Sequence, residues 1–273
     1  MEAVGMHYLT SILDKLKEHE VQLNNINVFP IADKDTGTNL FKTLNVEVDA
    51  TNFRDFLFKL SDKVLYSARG SSGNILALYL LGLKENYNDN IVETCRGAAQ
   101  FTWNTMYEPQ EGTILTAMKA YPTIFEGPKQ YIGDFYNNVL DCLMRGPDLL
   151  PILKQHNTID SGTLGFTYIL QGLYEAIVGE SLPTPELTLS PVDTSITPEE
   201  KTYCVELLLE GNHKEELGFL KDYGDELIIL TLNNEATKLH IHTDNYQEVI
   251  RRVEGVAQIK ATKVDNMKEQ GKA

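Results

Sequence analysis

Cysteine is scarce in this chain, and so are basic residues. Three cysteines in 273 residues (Cys95, Cys142 and Cys204) are odd in number and far apart, which argues against a disulfide framework. Lys and Arg total 24 against 39 Asp and Glu, a formal net charge of −15. Such a field repels nucleic acid and anionic lipid within a Debye length. The longest basic run, Arg251-Arg252, is too short to make a patch. No window approaches the roughly 18 apolar residues of a membrane span. The opening "MEAVGMHYLTSILDKL" lacks the basic region and cleavage site of a signal peptide. A cytoplasmic protein is the expectation, and a negative chain that accepts a negative ligand needs bound cations or local donors.

What is present changes character along the chain. Up to about residue 178 apolar residues recur at spacings of three and four, as in "HYLTSILDKLKEH", "FRDFLFKLSDKVLYSA" and "LGFTYILQGLYEAIVG". The spacing predicts a bundle of roughly eight helices over 1–178. Residues 179–201, "GESLPTPELTLSPVDTSITPEEK", hold four prolines and read as a linker with no packed element. From 202 to 270 the period becomes two. "TYCVELLLE", "DELIILTL", "TKLHIHT" and "VAQIKATKV" read as strands, with "HKEELGFLKDY" and "NYQEVIRRVEG" as helices. The order β-α-β-β-α-β is that of a ferredoxin-like unit of about 70 residues. The fold class is thus multi-domain, α followed by α/β.

Polar and glycine residues gather at four places between the helices. "NNINVFPIADKDTGTNLFKTL" sets Asp33 and Asp35 one residue apart, followed by Gly37. Carboxylates at i and i+2 can face one magnesium ion, whose shell phosphate and water complete. The same run is equally a polar turn that caps a helix. "SARGSSGN" puts two serines and two glycines at a helix start, an arrangement suited to phosphate. "PQEGTILT" and "NTIDSGTLG" each read as an N-cap when taken singly; four such starts in one bundle can line a nucleotide mouth. In the second unit His240 and His242 share one strand face, and Cys204 can meet them there. Two imidazoles and a thiolate suit zinc; an H-x-H pair at the surface with an unrelated cysteine is the alternative.

In this order the motifs carry a resemblance. "NVFPIADKDTGTNL", "SARGSSGNIL", "EGTILT" and "TIDSGTLGFTYILQGL" resemble four segments of the DAK2 (dihydroxyacetone kinase L-type) domain. "YCVELLLEG", "DELIIL", "KLHIHTDN" and "VDNMKEQ" are similar to the middle domain of bacterial fatty acid kinases. The resemblance covers nearly the whole chain. It implies a DhaL-like eight-helix antiparallel barrel that binds ATP through Mg2+, and transfer of phosphate to a fatty acid carboxylate. That fatty acid is presented by a DegV-like binding protein, and the acyl phosphate feeds phospholipid synthesis. By motif, Asp33 and Asp35 hold magnesium, with Asn27 close by. Thr36, Thr38 and Asn39 position phosphate or shape the loop. Ser71, Ser72 and Gly73 bind phosphate oxygens, Thr113 and Asp160 line the nucleotide pocket, and Cys204, His240 and His242 form a zinc-type cluster. Lys34 and Ala32 depart from the family's glycine and proline, Ser71 from its asparagine and Thr163 from a glycine. These changes keep open a non-catalytic relative that binds nucleotide or metal. A small-polyol kinase fits less well, because L-type kinases of that kind lack the second unit. The motifs stop with the middle domain, where fatty acid kinases continue into a C-terminal one; the expectation is a shortened member, or a domain supplied by another chain. A homodimer is left open.

Overall fold

The computed structural model describes residues 4–29, 32, 34–106, 108–187, 201–232 and 235–267. Asp33, the first aspartate of the opening motif, lies outside the described residues, as does most of the predicted linker.

Nine α-helices make up the first region of the described chain: α1 Val4–Asn25, α2 Thr36–Leu44, α3 Phe53–Ser67, α4 Gly70–Glu85, α5 Ile91–Thr105, α6 Ile114–Met118, α7 Pro128–Leu149, α8 Pro151–Gln155 and α9 Ser161–Val178. Helix α9 organises them. Its sequence is apolar or small all round, and residues 161–172 are buried without a gap, the pattern of a helix enclosed on every side. It packs along α1, against α7, and against the shorter α2 and α6. Gly172 makes the α1 contact: a Cβ there would stand 2.5 Å from the Ile12 Cα and 2.7 Å from the Ser11 carbonyl oxygen. Helix α9 ends at Gly179, whose φ of +76° closes it in the left-handed conformation.

The chain beyond α9 has no regular structure over residues 181–187, as its prolines predict, but it is held in place. Gln171 Nε2 donates to the Pro183 carbonyl at 2.8 Å, the Tyr136 hydroxyl donates to the same oxygen, and Leu182 and Leu187 pack on the helical core.

Four strands complete the fold: β1 Tyr203–Glu210, β2 Asp225–Leu232, β3 Ala236–Thr243 and β4 Ile259–Asn266, with α10 Tyr246–Glu254 before the last. They form one sheet in the order β2-β3-β1-β4, and every neighbouring pair is antiparallel. The predicted helix "HKEELGFLKDY" is absent; a single 3₁₀ turn, Gly218–Asp222, replaces it. Gly218 weakens an α-helix at its middle. The apolar anchors Leu217 and Leu220 stand three apart, the repeat of the tighter turn.

Alternation splits the sheet between two cores. Val205, Leu207, Leu209, Leu239 and Ile241 face α10 and the 3₁₀ turn. On the other face, Ile228 and Leu230 of β2 belong to the core of the helical region. Every residue of β3 from Thr237 to Thr243 is buried, because both faces of that strand are covered. No described helix is long and apolar enough to cross a membrane.

Candidate functional site

Helices α2, α4, α6 and α9 each begin at one of the four polar motifs, and their starts converge on two adjoining clefts. The first is lined by Asn27, Asp35, Thr36 and Asn39, by Gly70, Ser71 and Ser72, and from the sheet by Cys204, His242, Lys263 and Asp265. The second shares Ser71 and Ser72 and runs past Thr113 and Asp160 to the apolar side chains of Phe29, Ile75, Ile114 and Leu115.

Asp35 occupies the N-cap position of α2, yet its side chain makes no cap bond. Asn24 of α1 caps instead: its Oδ1 accepts from the N–H groups of Gly37 at 2.8 Å and Thr38 at 3.2 Å. Asp35 thus lines the first cleft without capping the helix. The Thr36 hydroxyl donates to Asn27 Oδ1. Thr38 does not line the cleft; its hydroxyl donates to Glu20 at 2.7 Å. Lys34 has φ +58°, a conformation that costs a non-glycine residue about 1 kcal/mol and that accounts for a glycine in the related motifs. It does not line either cleft.

At the start of α4, Gly70 has φ +57° and sits against the Asn39 side chain, where a Cβ would be 2.2 Å from Nδ2. Gly73 does not fit its predicted phosphate role. Its N–H donates to the Arg69 carbonyl at 3.1 Å, and the residue is a close-packing point, a Cβ there falling 2.3 Å from Thr43 Oγ1. Ser71 and Ser72 stand in the first turn of α4 and line both clefts. Thr113 caps α6, accepting from the Leu115 N–H at 3.3 Å and donating to the Gln110 carbonyl at 2.8 Å. Asp160 caps α9: Oδ2 accepts the N–H of Thr163 at 2.6 Å and its hydroxyl at 2.8 Å. Burial raises the Asp160 carboxyl to about 6, against those donors and the N–H of Ile114. Thr163, the departure from a family glycine, is thus the partner of this cap.

Across the first cleft the sheet brings Cys204, His240 and His242 together, with their ligand atoms within 4.8 Å of one another. Cys204 Sγ is 3.7 Å from His240 Nδ1, and both histidines are buried, which removes the surface-pair alternative. His240 Nε2 and His242 Nδ1 are buried with no hydrogen-bond partner. Two orphaned imidazole nitrogens beside a thiol fit the donor set of zinc. Burial would lower the His240 pKa, but Cys204 and Glu206 outweigh it and hold it up; burial and the neighbouring His240 push His242 well below its ordinary value.

Glu206, Lys238 and Lys263 join this wall; the first two lie inside the segments "YCVELLLEG" and "KLHIHTDN" but carry no predicted role there. Their signal is the alternation itself: Glu206 stands two residues beyond Cys204, and Lys238 two before His240, on the same face. Glu206 Oε1 accepts from the Gly70 N–H at 3.3 Å, while Oε2 pairs with Arg69 at 3.3 Å. Lys238 Nζ donates to the Ala68 carbonyl at 2.6 Å. Ala68 closes α3 and Gly70 opens α4. The sheet thus sets a cation on the carbonyl end of one helix and a carboxylate on the amide end of the next, each matched to the helix dipole. Burial would raise the Glu206 carboxyl, but His240, Lys238 and Lys263 hold it far below the usual range. Burial lowers Lys238 to about 8 in spite of Glu206.

Residues 30–175 match the DAK2 domain family, and residues 200–273 match the FakA-like middle domain of the fatty acid kinases. The chain belongs to the DAK2 domain family. Its DAK2 part contains the starts of α2, α4, α6 and α9, and the middle domain supplies the Cys-His-His wall. Among curated relatives, Protein YloV of Bacillus subtilis is 25% identical over 299 residues, covering 93% of this chain and 53% of its own. Uncharacterized protein SSP1546 of Staphylococcus saprophyticus is 27% identical with the same coverage. A Staphylococcus epidermidis protein is 27% identical over 91% of this chain and 52% of its own. The chain spans about half the length of the curated relatives it matches. These assignments make it a member of a kinase family.

Proposed function

We propose that this DAK2 protein transfers the terminal phosphoryl group of ATP to a fatty acid carboxylate, presented by a DegV-like binding protein, in the cleft between its two domains. One observation carries the reading: the two walls of that cleft offer complementary halves of a phosphoryl-transfer site. The helical wall holds Asp35, Thr36, Asn39, Ser71 and Ser72; the sheet wall holds Cys204, His242 and Lys263. Phosphoryl transfer asks for positioning and charge neutralisation more than for covalent help. A carboxylate acceptor carries no proton at neutral pH, so the site needs no general base.

Within this reading Asp35, with Asp33 beside it in sequence, would hold magnesium, which neutralises the phosphate charge when bound. The N–H groups and hydroxyls of Ser71 and Ser72 would bind phosphate oxygens at the start of α4. Asn27 and Asn39 would hold the carboxylates and the Gly70 turn in place. Lys263 of β4 is the cation among the residues that line the cleft, and its ammonium would attract an anionic acceptor. Zinc held by Cys204, His240 and His242 would fix that wall and present a Lewis acid beside the acceptor. Lys34, the most conspicuous departure from the family pattern, stands outside both clefts, which favours an active protein over a degenerate one.

The experiment is acyl phosphate formation from Mg-ATP with a fatty-acid-loaded DegV-like protein. Turnover that falls at least about 100-fold in Asp35→Asn, with the fold intact, supports the reading. Absence of acyl phosphate with every such carrier, while the chain binds Mg-ATP, sinks it in favour of a nucleotide-binding regulator.

A further inference from the structure

Glu226 belongs to the second domain, but its carboxylate ends in the wall of the helical one. It is the second residue of β2, at the point where the register against β3 shifts between Asp225 and Ile228, and its φ is +54°. That irregularity turns the side chain toward α4, where Oε2 accepts a hydrogen bond from the Ser71 hydroxyl at 3.2 Å. Glu226 thereby joins the lining of the second cleft, at the end that adjoins the phosphate-type cleft through Ser71 and Ser72.

The chemistry of that pocket narrows what fills it. Phe29, Ile75, Ile114 and Leu115 offer apolar surface for a flat ring. None of its described lining residues is Lys, Arg or His, so phosphate groups have no counter-charge here and belong in the first cleft. Asp160 Oδ2 is engaged with Thr163, and the Thr113 hydroxyl with Gln110 and Leu115. Glu108, Gln110 and Ser72 also line the pocket, but Glu226 is the carboxylate held in place beside the phosphate-type cleft, by the Ser71 hydroxyl. A carboxylate offers about four acceptor sites, and the Ser71 hydroxyl takes one. A ligand that is apolar on its faces and carries hydrogen-bond donors at the edge nearest the phosphate cleft matches this inventory. A nucleoside is such a ligand.

We infer that Glu226 is a specificity-determining residue that accepts a hydrogen bond from a donor of the nucleoside, a ribose hydroxyl or the base amino group. The inference rests on the nucleotide reading given above and deepens it: the second domain does not merely cover the nucleotide but selects it. A ligand without the donor leaves a partly buried carboxylate unpaired, and a hydrogen bond to a charged acceptor corresponds to roughly a 10- to 100-fold preference.

The test is equilibrium binding of Mg-ADP, its 2′-deoxy and 3′-deoxy analogues and inosine diphosphate to the full chain, to Glu226→Ser and to Glu226→Gln. The parent should bind at least one analogue about 10-fold more weakly than ADP. Glu226→Ser should bind ADP and that analogue alike, and Glu226→Gln, which keeps a carbonyl acceptor, should recover part of the preference. The analogue affected identifies the donor. Tighter binding of all four nucleotides to Glu226→Ser by a common factor would overturn the inference, because the acid would then act as a barrier to phosphate. Equal affinity of the parent for all four would overturn it too, with the nucleotide reading intact. A parent that binds none of them would refute the nucleotide reading itself.

Discussion

Asp160 offers a test of the site's electrostatics that needs no ligand. Its carboxyl is buried beneath the start of α9, and burial outweighs the donors that cap it, raising its pKa from 3.8 to about 6. In the unfolded chain the same group titrates near its ordinary value. Between about pH 4 and pH 6 the folded protein therefore holds a proton that the unfolded chain has released. Stability from this group is fully present below about pH 4 and is lost as pH rises through 6. The rise from 3.8 to about 6 corresponds to about 3 kcal/mol. Asp160→Asn removes the titration and keeps a carbonyl oxygen for the Thr163 N–H and hydroxyl. Urea unfolding of both proteins across pH 4–7.5, followed by the single tryptophan Trp103 in α5, isolates the difference. The parent's stability minus that of Asp160→Asn should fall by about 2 kcal/mol between pH 4 and pH 6 and stay level above pH 6.5. A difference that is flat, or that rises with pH, would mean that the Thr163 and Ile114 donors win over burial and that the cap is an ordinary ionised one.

Three further outcomes concern the packing and the sheet face. Gly172→Ala would drive a methyl group into the backbone of Ile12 and Ser11, and should cost about 3 kcal/mol or more; an unchanged urea midpoint would refute the α1–α9 contact. Lys238→Met leaves the Ala68 carbonyl and the buried Glu206 carboxylate short of a cation. It should cost about 3–5 kcal/mol and speed hydrogen exchange at the Gly70 and Ser71 amides, whereas unchanged exchange there would dissociate the lysine from the loop. Cobalt added to the parent should produce the thiolate-to-metal absorption of a Cys-ligated site, and Cys204→Ser should abolish it; survival of that band would assign it to another cysteine.

Much of this architecture was legible because local pattern and burial agree. The change of period from three and four to two located the boundary between helices and sheet, and alternation alone put Leu239 and Ile241 on the core side with His240 and His242 opposite. Local pattern failed where a tertiary partner decided the outcome. "HKEELGFLKDY" has helical charge spacing, but Gly218 and anchors at Leu217 and Leu220 make it a 3₁₀ turn. "GTILTAMKAYPTIFEG" carries apolar residues at helical spacing, but only Ile114–Met118 is helix, since Pro122 and Gly127 break the remainder of the segment. In the opening motif the helix cap comes from Asn24 on the preceding helix, a partner that no reading of "DKDTGTN" by itself contains. The interdomain residues were the least visible of all. Glu206, Glu226 and Lys238 meet partners about 130 to 170 positions away, and nothing in their immediate sequence says so.

That long-range contact also explains why charged groups occupy a place where apolar ones would dock more cheaply. Ile228 and Leu230 already join the helical core, so the sheet has an apolar means of docking. Burying Glu206 and Lys238 beside them costs desolvation of several kcal/mol per ion, and their mutual attraction does not by itself recover it. The compensation lies in the helix ends. The Ala68 carbonyl and the Gly70 amide are orphan groups of α3 and α4 that burial would otherwise leave unsatisfied, and one lateral seating of the sheet satisfies both. A shift by two residues along β1 or β3 keeps the same face toward the helices but takes the carboxylate and the ammonium off their helix ends. Apolar contacts tolerate that displacement; the charged pair does not. The same seating brings Cys204 and His242 opposite Ser71 and Ser72. Domain docking and cleft assembly are therefore a single event, and the charges fix its register rather than its strength.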